Sequence, residues 1–225
     1  TNDISRVDGV SRDTERARRL MRSYARFQGA QAPLSKIRED VIAGSDSSFD
    51  EKTLSSYLNA MKKMFVIEDM PSWNPNLRSK AAIRSSETRY FTDPSIAVAA
   101  LGIGPKDLMN DLETYGLLFE AMCVRDLRIY AQAINGLVYH YRDSDGLECD
   151  AVIHLRNGDY GLVEIKLGGD RLIEAGAMSL HKLCDKIDTD KMKEPSFLMV
   201  LIATGDYVYR RTDGVWVVPI GSLKP

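Results

Sequence analysis

Cysteine is scarce, and what there is excludes two common frameworks. Cys123, Cys149 and Cys184 are few, odd in number and widely spaced. They fit neither a disulfide scaffold nor paired-cysteine zinc spacing, and read as small buried hydrophobes in a reducing, cytoplasmic setting. Histidine is equally sparse: His140, His154 and His181 show no ligand spacing, and only His154, near Asp150, is a candidate to touch a site. No apolar run approaches the length of a membrane span, and no signal peptide is visible. A GxxxxGK[ST] phosphate loop is missing. Gly102-Ile-Gly-Pro-Lys106 is too short for one, and Pro105 occupies the wrong place. The chain opens on Thr1 rather than Met and is read as a piece of a longer protein.

What is present is globular. Over 225 residues, 44% are hydrophobic and 28% charged, enough for one large or two small domains with real cores. The net charge of −2 is unevenly spread. Residues 1–92 carry 16 Lys and Arg against 12 Asp and Glu, while residues 93–225 carry 14 against 20. Only the first part offers a nucleic-acid backbone an attractive field.

Helical spacing of Ala17, Leu20, Met21, Tyr24 and Phe27 predicts a first helix from Asp13, ended by Gly29–Pro33. A second is expected over 35–43. A third follows a possible Ser48-x-x-Glu51 capping box, with Leu54, Tyr57, Leu58, Met61 and Phe65 on its inner face. Strands near 64–70 and 89–92 complete the plan of a winged helix, a helix-turn-helix variant, over residues 1–92. Its third helix and wing carry Lys52, Lys62, Lys63, Arg78, Lys80, Arg84 and Arg89. These cations serve a nucleic acid, DNA more than RNA, or a solvated surface, or the protein dock that a winged helix often forms.

Asp93-Pro94 marks the expected boundary of a second domain over 93–225. A helical tract to about Asn135 buries Leu108, Leu112, Tyr115, Leu118, Phe119 and Met122, then Leu127, Tyr130 and Ile134, with Gly116 as a place to bend. Glu120 lies beside that stripe, where a carboxylate is either rim-exposed or held for a purpose. The stretch 139–166 reads as three antiparallel strands punctuated by Asp145-Gly146 and Asn157-Gly158.

Register decides what meets what on those strands. A two-residue turn at Asn157-Gly158 would set Asp150 opposite Ile165 and oppose apolar to polar throughout. A one-residue slip flips a whole side-chain set, so an odd loop, Asn157-Gly158-Asp159 with Gly158 left-handed, is expected. It places Val152 opposite Glu164 and Asp150 opposite Lys166, with Cys149, Ala151, Ile153 and Leu155 on the other face. A helix over 170–187, a doubly covered strand at 197–203 and a hairpin turning at Asp213-Gly214 finish the chain.

A Glu-x-Lys triplet alone is weak, since about one arises by chance in a chain this long. Glu164-Ile-Lys166 gains weight from its apolar strand, from Asp150 on the neighbouring strand and from a helical Glu120 before both. Metal-assisted phosphodiester hydrolysis needs such groups. Asp150 and Glu164 offer Mg²⁺ (or Mn²⁺) hard oxygens, Lys166 orients a water or offsets charge on phosphorus, and Glu120 completes the metal shell or holds a metal-bound water. The bland alternative is an ion pair between Lys166 and Asp150.

With Glu120, Glu148-Cys-Asp150 and Glu164-Ile-Lys166 on successive elements, the second domain resembles the PD-(D/E)xK nuclease superfamily. That resemblance implies a restriction-endonuclease-like α-β-β-β-α-β core in a mixed α/β chain. More specifically, the segments Arg89–Ser95, Gly116–Glu120, Tyr141–Asp143 and Glu164–Gly168 make nearly the whole chain similar to the C-terminal half of a prokaryotic family of AAA-type ATPases. That family ends in a winged helix and a nuclease-like domain of unknown function. The resemblance implies Glu120, Asp150, Glu164 and Lys166 as the site, Mg²⁺ as the cofactor, and ATP only through an upstream ATPase part, which would also be a partner. A non-catalytic module that recognises nucleic acid or regulates the ATPase is the competing expectation.

Overall fold

The computed structural model describes residues 3–43, 49–75 and 86–224, and shows a mixed α/β chain dividing into two compact units. One comprises Thr1–Met70 and Ser86–Ala121; the other comprises Pro71–Ser85 and Met122–Pro225. Among the described residues no helix is long and apolar enough to cross a membrane.

The first unit holds α1 (Thr14–Arg26), α2 (Leu34–Ile42), α3 (Glu51–Lys63), α4 (Pro94–Leu101) and α5 (Pro105–Asn110). Short carboxylates start several of these helices by accepting orphan backbone N–H groups. Asp13 takes the Arg16 N–H at 2.8 Å, and Asp50 takes that of Thr53 at 2.7 Å. The α3 cap is therefore Asp50, not the Ser48 capping box; Ser48 itself lies outside the described residues. Leu20, Tyr24, Ile37, Leu54, Met61 and Phe91 form one buried cluster, and Tyr24 meets Phe91 edge-on at 5.3 Å. The hairpin expected after α3 is reduced to two antiparallel bridges, Ile67 with Phe91 and Met70 with Thr88. Asp93 and Pro94, expected to separate domains, instead form the N-terminal cap and first residue of α4 inside this unit.

The expected long helix is broken one turn earlier than Gly116. α5 ends at Asn110 and α6 spans Leu112–Ala133. Asp111 leaves helical geometry and caps α6 by accepting from the Thr114 N–H at 3.0 Å. Leu118, Phe119 and Leu127 are buried as the stripe predicts, but Leu112, Tyr115 and Ile134 lie near its ends and are exposed.

In the second unit one six-stranded sheet has the order β1-β2-β3-β4-β6-β5. The strands are β1 (Gly136–Arg142), β2 (Glu148–Leu155), β3 (Tyr160–Lys166), β4 (Phe197–Ile202), β5 (Tyr209–Arg210) and β6 (Trp216–Pro219). The first three are antiparallel. After β3 the helix α7 (Asp170–Lys186) crosses to β4, which runs parallel to β3 and to β6. Two-sided burial of β3 and β4 follows from this central position. Ile173, Ala177, Leu180 and Leu183 of α7 pack on Val152, Leu162, Val200 and Val217 of the sheet. Pro71–Trp73 adds a further edge contact: Ser72 bridges His140, and the Trp73 ring lies 5.1 Å from that of Tyr160.

Two features of the register depart from expectation. The β2–β3 loop is odd, and Gly158 has φ +86°, as expected, but the loop is Arg156-Asn157-Gly158: the Leu155 N–H donates to the Asp159 carbonyl at 2.8 Å. Every opposing partner moves by two residues, so Val152 faces Leu162 rather than Glu164. Because two preserves side-chain parity, the faces survive the correction. Separately, Asp150 and Ala151 together oppose His140 of β1, a β-bulge between the Tyr139–Val152 and Tyr141–Cys149 pairs. Beyond that bulge Cys149 joins the cluster under α7, not the opposite face where strict alternation put it.

Candidate functional site

The bulge and the end of the β2–β3 ladder together aim Asp150. The ladder stops at Ala151–Val163, and the Asp150 carboxylate takes over, accepting from the Ile165 N–H at 2.7 Å. Its same oxygen, Oδ2, accepts from Lys166 Nζ at 3.0 Å, and Lys166 Nζ also meets Glu164 Oε2 at 2.6 Å. Asp150, Lys166 and Glu164 therefore share one side of the sheet, with the ammonium joining the two carboxylates.

This is not a surface ion pair. The three side chains are 18%, 25% and 5% exposed in that order. The helix α7 closes over Glu164 at Gly176, where a methyl group would lie 3.3 Å from the Glu164 Cβ and 3.2 Å from Val200. Burial, reinforced by the Asp150 charge, pushes the Glu164 carboxyl up from its usual 4.5 to about 8, against the opposing pull of Lys166 and Ser179. The two carboxylates hold Lys166 protonated well above the usual lysine range despite the cost of its burial. The neighbouring Cys149 thiol is pushed up by burial, then by Glu164 and Asp150. Gly176 and Ser179 escaped the sequence reading. A glycine inside an otherwise amphipathic helix was the available signal, since it weakens the helix unless something must come close.

Glu120 lies on α6, in the stretch of that helix that belongs to the first unit, and the Tyr90 hydroxyl donates to its Oε1. His154 stands opposite Tyr160 near the β2–β3 loop, four residues along the strand from Asp150 and so on the order of 13 Å away. As a pair of hard oxygen donors, Asp150 and Glu164 suit Mg²⁺, which keeps several waters. Among the described residues no group of three or more His, Cys, Asp or Glu side chains assembles as a ligand set.

Of the cations expected to meet nucleic acid, Lys52, Lys62 and Lys63 lie exposed on α3. Lys62 Nζ is 3.1 Å from Asp69 and 3.7 Å from Glu87, and Lys63 Nζ is 3.9 Å from Asp8. Arg78, Lys80 and Arg84 lie outside the described residues. Arg89 is not a surface cation. It is buried, with its guanidinium 2.9 Å from Asp69 and donating to the Ala32 carbonyl at 3.1 Å.

Comparison with known families divides the chain close to the boundary between its two compact units. Residues 1–107 match a domain of unknown function (DUF8612), and residues 115–223 match another (DUF4143). The second is a domain typically found at the C-terminus of AAA-type ATPases. No curated protein and no solved structure matches the chain.

Proposed function

We propose that the second unit is a nuclease-like domain at the C-terminal end of an AAA-type ATPase, hydrolysing phosphodiester bonds in DNA or RNA with Mg²⁺. The observation that carries this reading is the convergence of Asp150, Glu164 and Lys166 on one side of the sheet, beside a β-bulge. The order α6, β1, β2, β3, α7, β4 also supports a PD-(D/E)xK-like core. A winged helix in the first unit, built on α1 to α3, would place the substrate.

Asp150 and Glu164 would hold the metal, which when bound supplies Lewis acidity and a water of lowered pKa. Lys166 keeps its proton, against the cost of its burial, because the Asp150 carboxylate and, once it ionises, that of Glu164 face it. It can therefore donate to a phosphoryl oxygen or to the attacking water as negative charge grows. The Ile165 N–H holds the Asp150 carboxylate in place beside it.

A second reading has its own observation. Lys166 already engages both carboxylates, and Glu164 is nearly sealed beneath α7. A module that keeps a nuclease fold to dock on or regulate its ATPase needs nothing more. Incubation with plasmid, single-stranded DNA and RNA, with Mg²⁺ or Mn²⁺, separates the two. Cleavage lost in Asp150→Asn and Lys166→Met supports the hydrolase. Absence of metal-dependent cleavage, with or without the ATPase part attached, leaves the regulatory module.

A further inference from the structure

Phe65 is the least expected residue of the first unit. It follows α3, whose C-terminus closes in a Schellman arrangement: the Val66 N–H donates to the Met61 carbonyl at 2.9 Å and the Phe65 N–H to that of Lys62 at 3.0 Å. That arrangement requires a left-handed residue at the position Phe65 occupies, and its φ is +55°. Glycine does this without strain; a residue with a Cβ does not. The other non-glycine residue with positive φ among the described residues, Asn135, is of a type that tolerates it. Core packing does not repay the strain at Phe65, because the ring is 81% exposed. A costly backbone supporting an exposed aromatic points to a contact made outside the unit.

The surface leading up to Phe65 indicates what that contact is. A groove of about 550 Å³ runs along α3, lined by Lys52, Ser55, Ser56, Asn59, Lys62 and Lys63, with Asp8, Val10 and Arg12 on its far wall. Its polar groups are the Ser55 and Ser56 hydroxyls, the Asn59 amide and the lysine ammoniums. Asp8 is bound by both Arg12 guanidinium nitrogens, at 2.7 and 2.9 Å, so Lys63 at 3.9 Å is not needed to neutralise it. Asp69, itself buried, is likewise held by Arg89 and the Tyr24 hydroxyl, and the half-exposed Lys62 also faces the exposed Glu87 at 3.7 Å, a pair it can exchange for another anion at little cost. Hydrogen-bond donors along a positive groove suit a phosphate backbone, and an aromatic ring beyond its end suits a base.

We propose that α3 binds nucleic acid carrying an unpaired base, with phosphates along Lys52, Lys62 and Lys63 and the base stacked on Phe65. This goes beyond the nuclease-like reading and does not depend on it, since it concerns the first unit and needs neither metal nor cleavage. The test uses the whole chain in EDTA, with a fluorescein-labelled oligothymidylate of about 20 nucleotides and a duplex of the same length, read by anisotropy. Phe65→Gly should raise the melting temperature by about 3 °C, because the strain is relieved. The same change should weaken single-strand binding roughly tenfold, while Phe65→Trp retains it. Lys52→Ala with Lys63→Ala should flatten the salt dependence by about 0.7 in slope for each phosphate no longer neutralised. The proposal is overturned if Phe65→Gly binds single strands as tightly as the parent, or if it melts lower, which would make Phe65 a packing residue. It is equally overturned if the parent chain binds neither oligonucleotide at low salt.

Discussion

Glu164 should make the second unit less stable as pH rises, and replacing it with Gln should abolish that loss. Its carboxyl sits at about 8 when folded against an ordinary 4.5, because burial and Asp150 disfavour its charge more than Lys166 favours it. A folded value raised above the unfolded one means that the folded state holds the proton more tightly. The group's stabilising contribution is therefore complete below about pH 4.5 and is lost as pH rises through about 8. Each pH unit inside that window costs ~1.4 kcal/mol, so the whole window costs on the order of 5 kcal/mol at most. Other titrating groups cancel in the difference between the parent and Glu164→Gln. Both tryptophans, Trp73 and Trp216, lie in the second unit, so urea unfolding followed by tryptophan fluorescence reports that unit alone. Measured in EDTA at about pH 5, 6.5, 8 and 9.5, the two stability curves should diverge up to pH 8 and run parallel above it. Lys166→Met removes the cation that lets Glu164 ionise, so its divergence should continue past pH 8 at ~1.4 kcal/mol per unit. Curves that stay parallel from pH 5 upward would refute the buried, charge-coupled account of this site.

Other outcomes follow from the same geometry. Asp69→Ala leaves the Arg89 guanidinium buried without its carboxylate and should destabilise the first unit by about 3 kcal/mol in thermal unfolding. Asp111→Ala removes the hydrogen bond that starts α6 and should cost about 1 kcal/mol, whereas Gly116→Ala, in the interior of that helix, should not break it. If the hydrolase reading holds, Asp150→Asn should bind Mg²⁺ at least tenfold more weakly by calorimetry while leaving oligonucleotide anisotropy unchanged. An equal loss of both would refute separate metal and nucleic-acid contacts.

The candidate site was legible in sequence because of parity. Side chains alternate with a period of two, so apolar opposition along β2 and β3 required an odd loop, and any odd loop puts Asp150, Glu164 and Lys166 on one face. Which odd loop forms was not legible. Arg156-Asn157-Gly158 and Asn157-Gly158-Asp159 keep the same faces and differ only in cross-strand partners. The bulge at Asp150-Ala151 was also hidden, since it depends on how β1 lies against β2. Helix existence followed from apolar spacing, but capping set the ends: Asp50 rather than Ser48, and Asp111 rather than Gly116.

Local pattern alone determined the element order, the turn glycines and the face shared by the acidic pair and its lysine. Tertiary structure decided their energetics. Only the crossing of α7 over Gly176 buries Glu164 enough to raise its carboxyl, and only the drift of β2 away from β3 frees the Ile165 N–H for Asp150. It also turned Arg89 from an apparent surface cation into a buried partner of Asp69, and left Phe65 exposed where helical spacing put it inside. Sequence periodicity records direction about an axis, whereas burial and charge coupling depend on what arrives from distant parts of the chain.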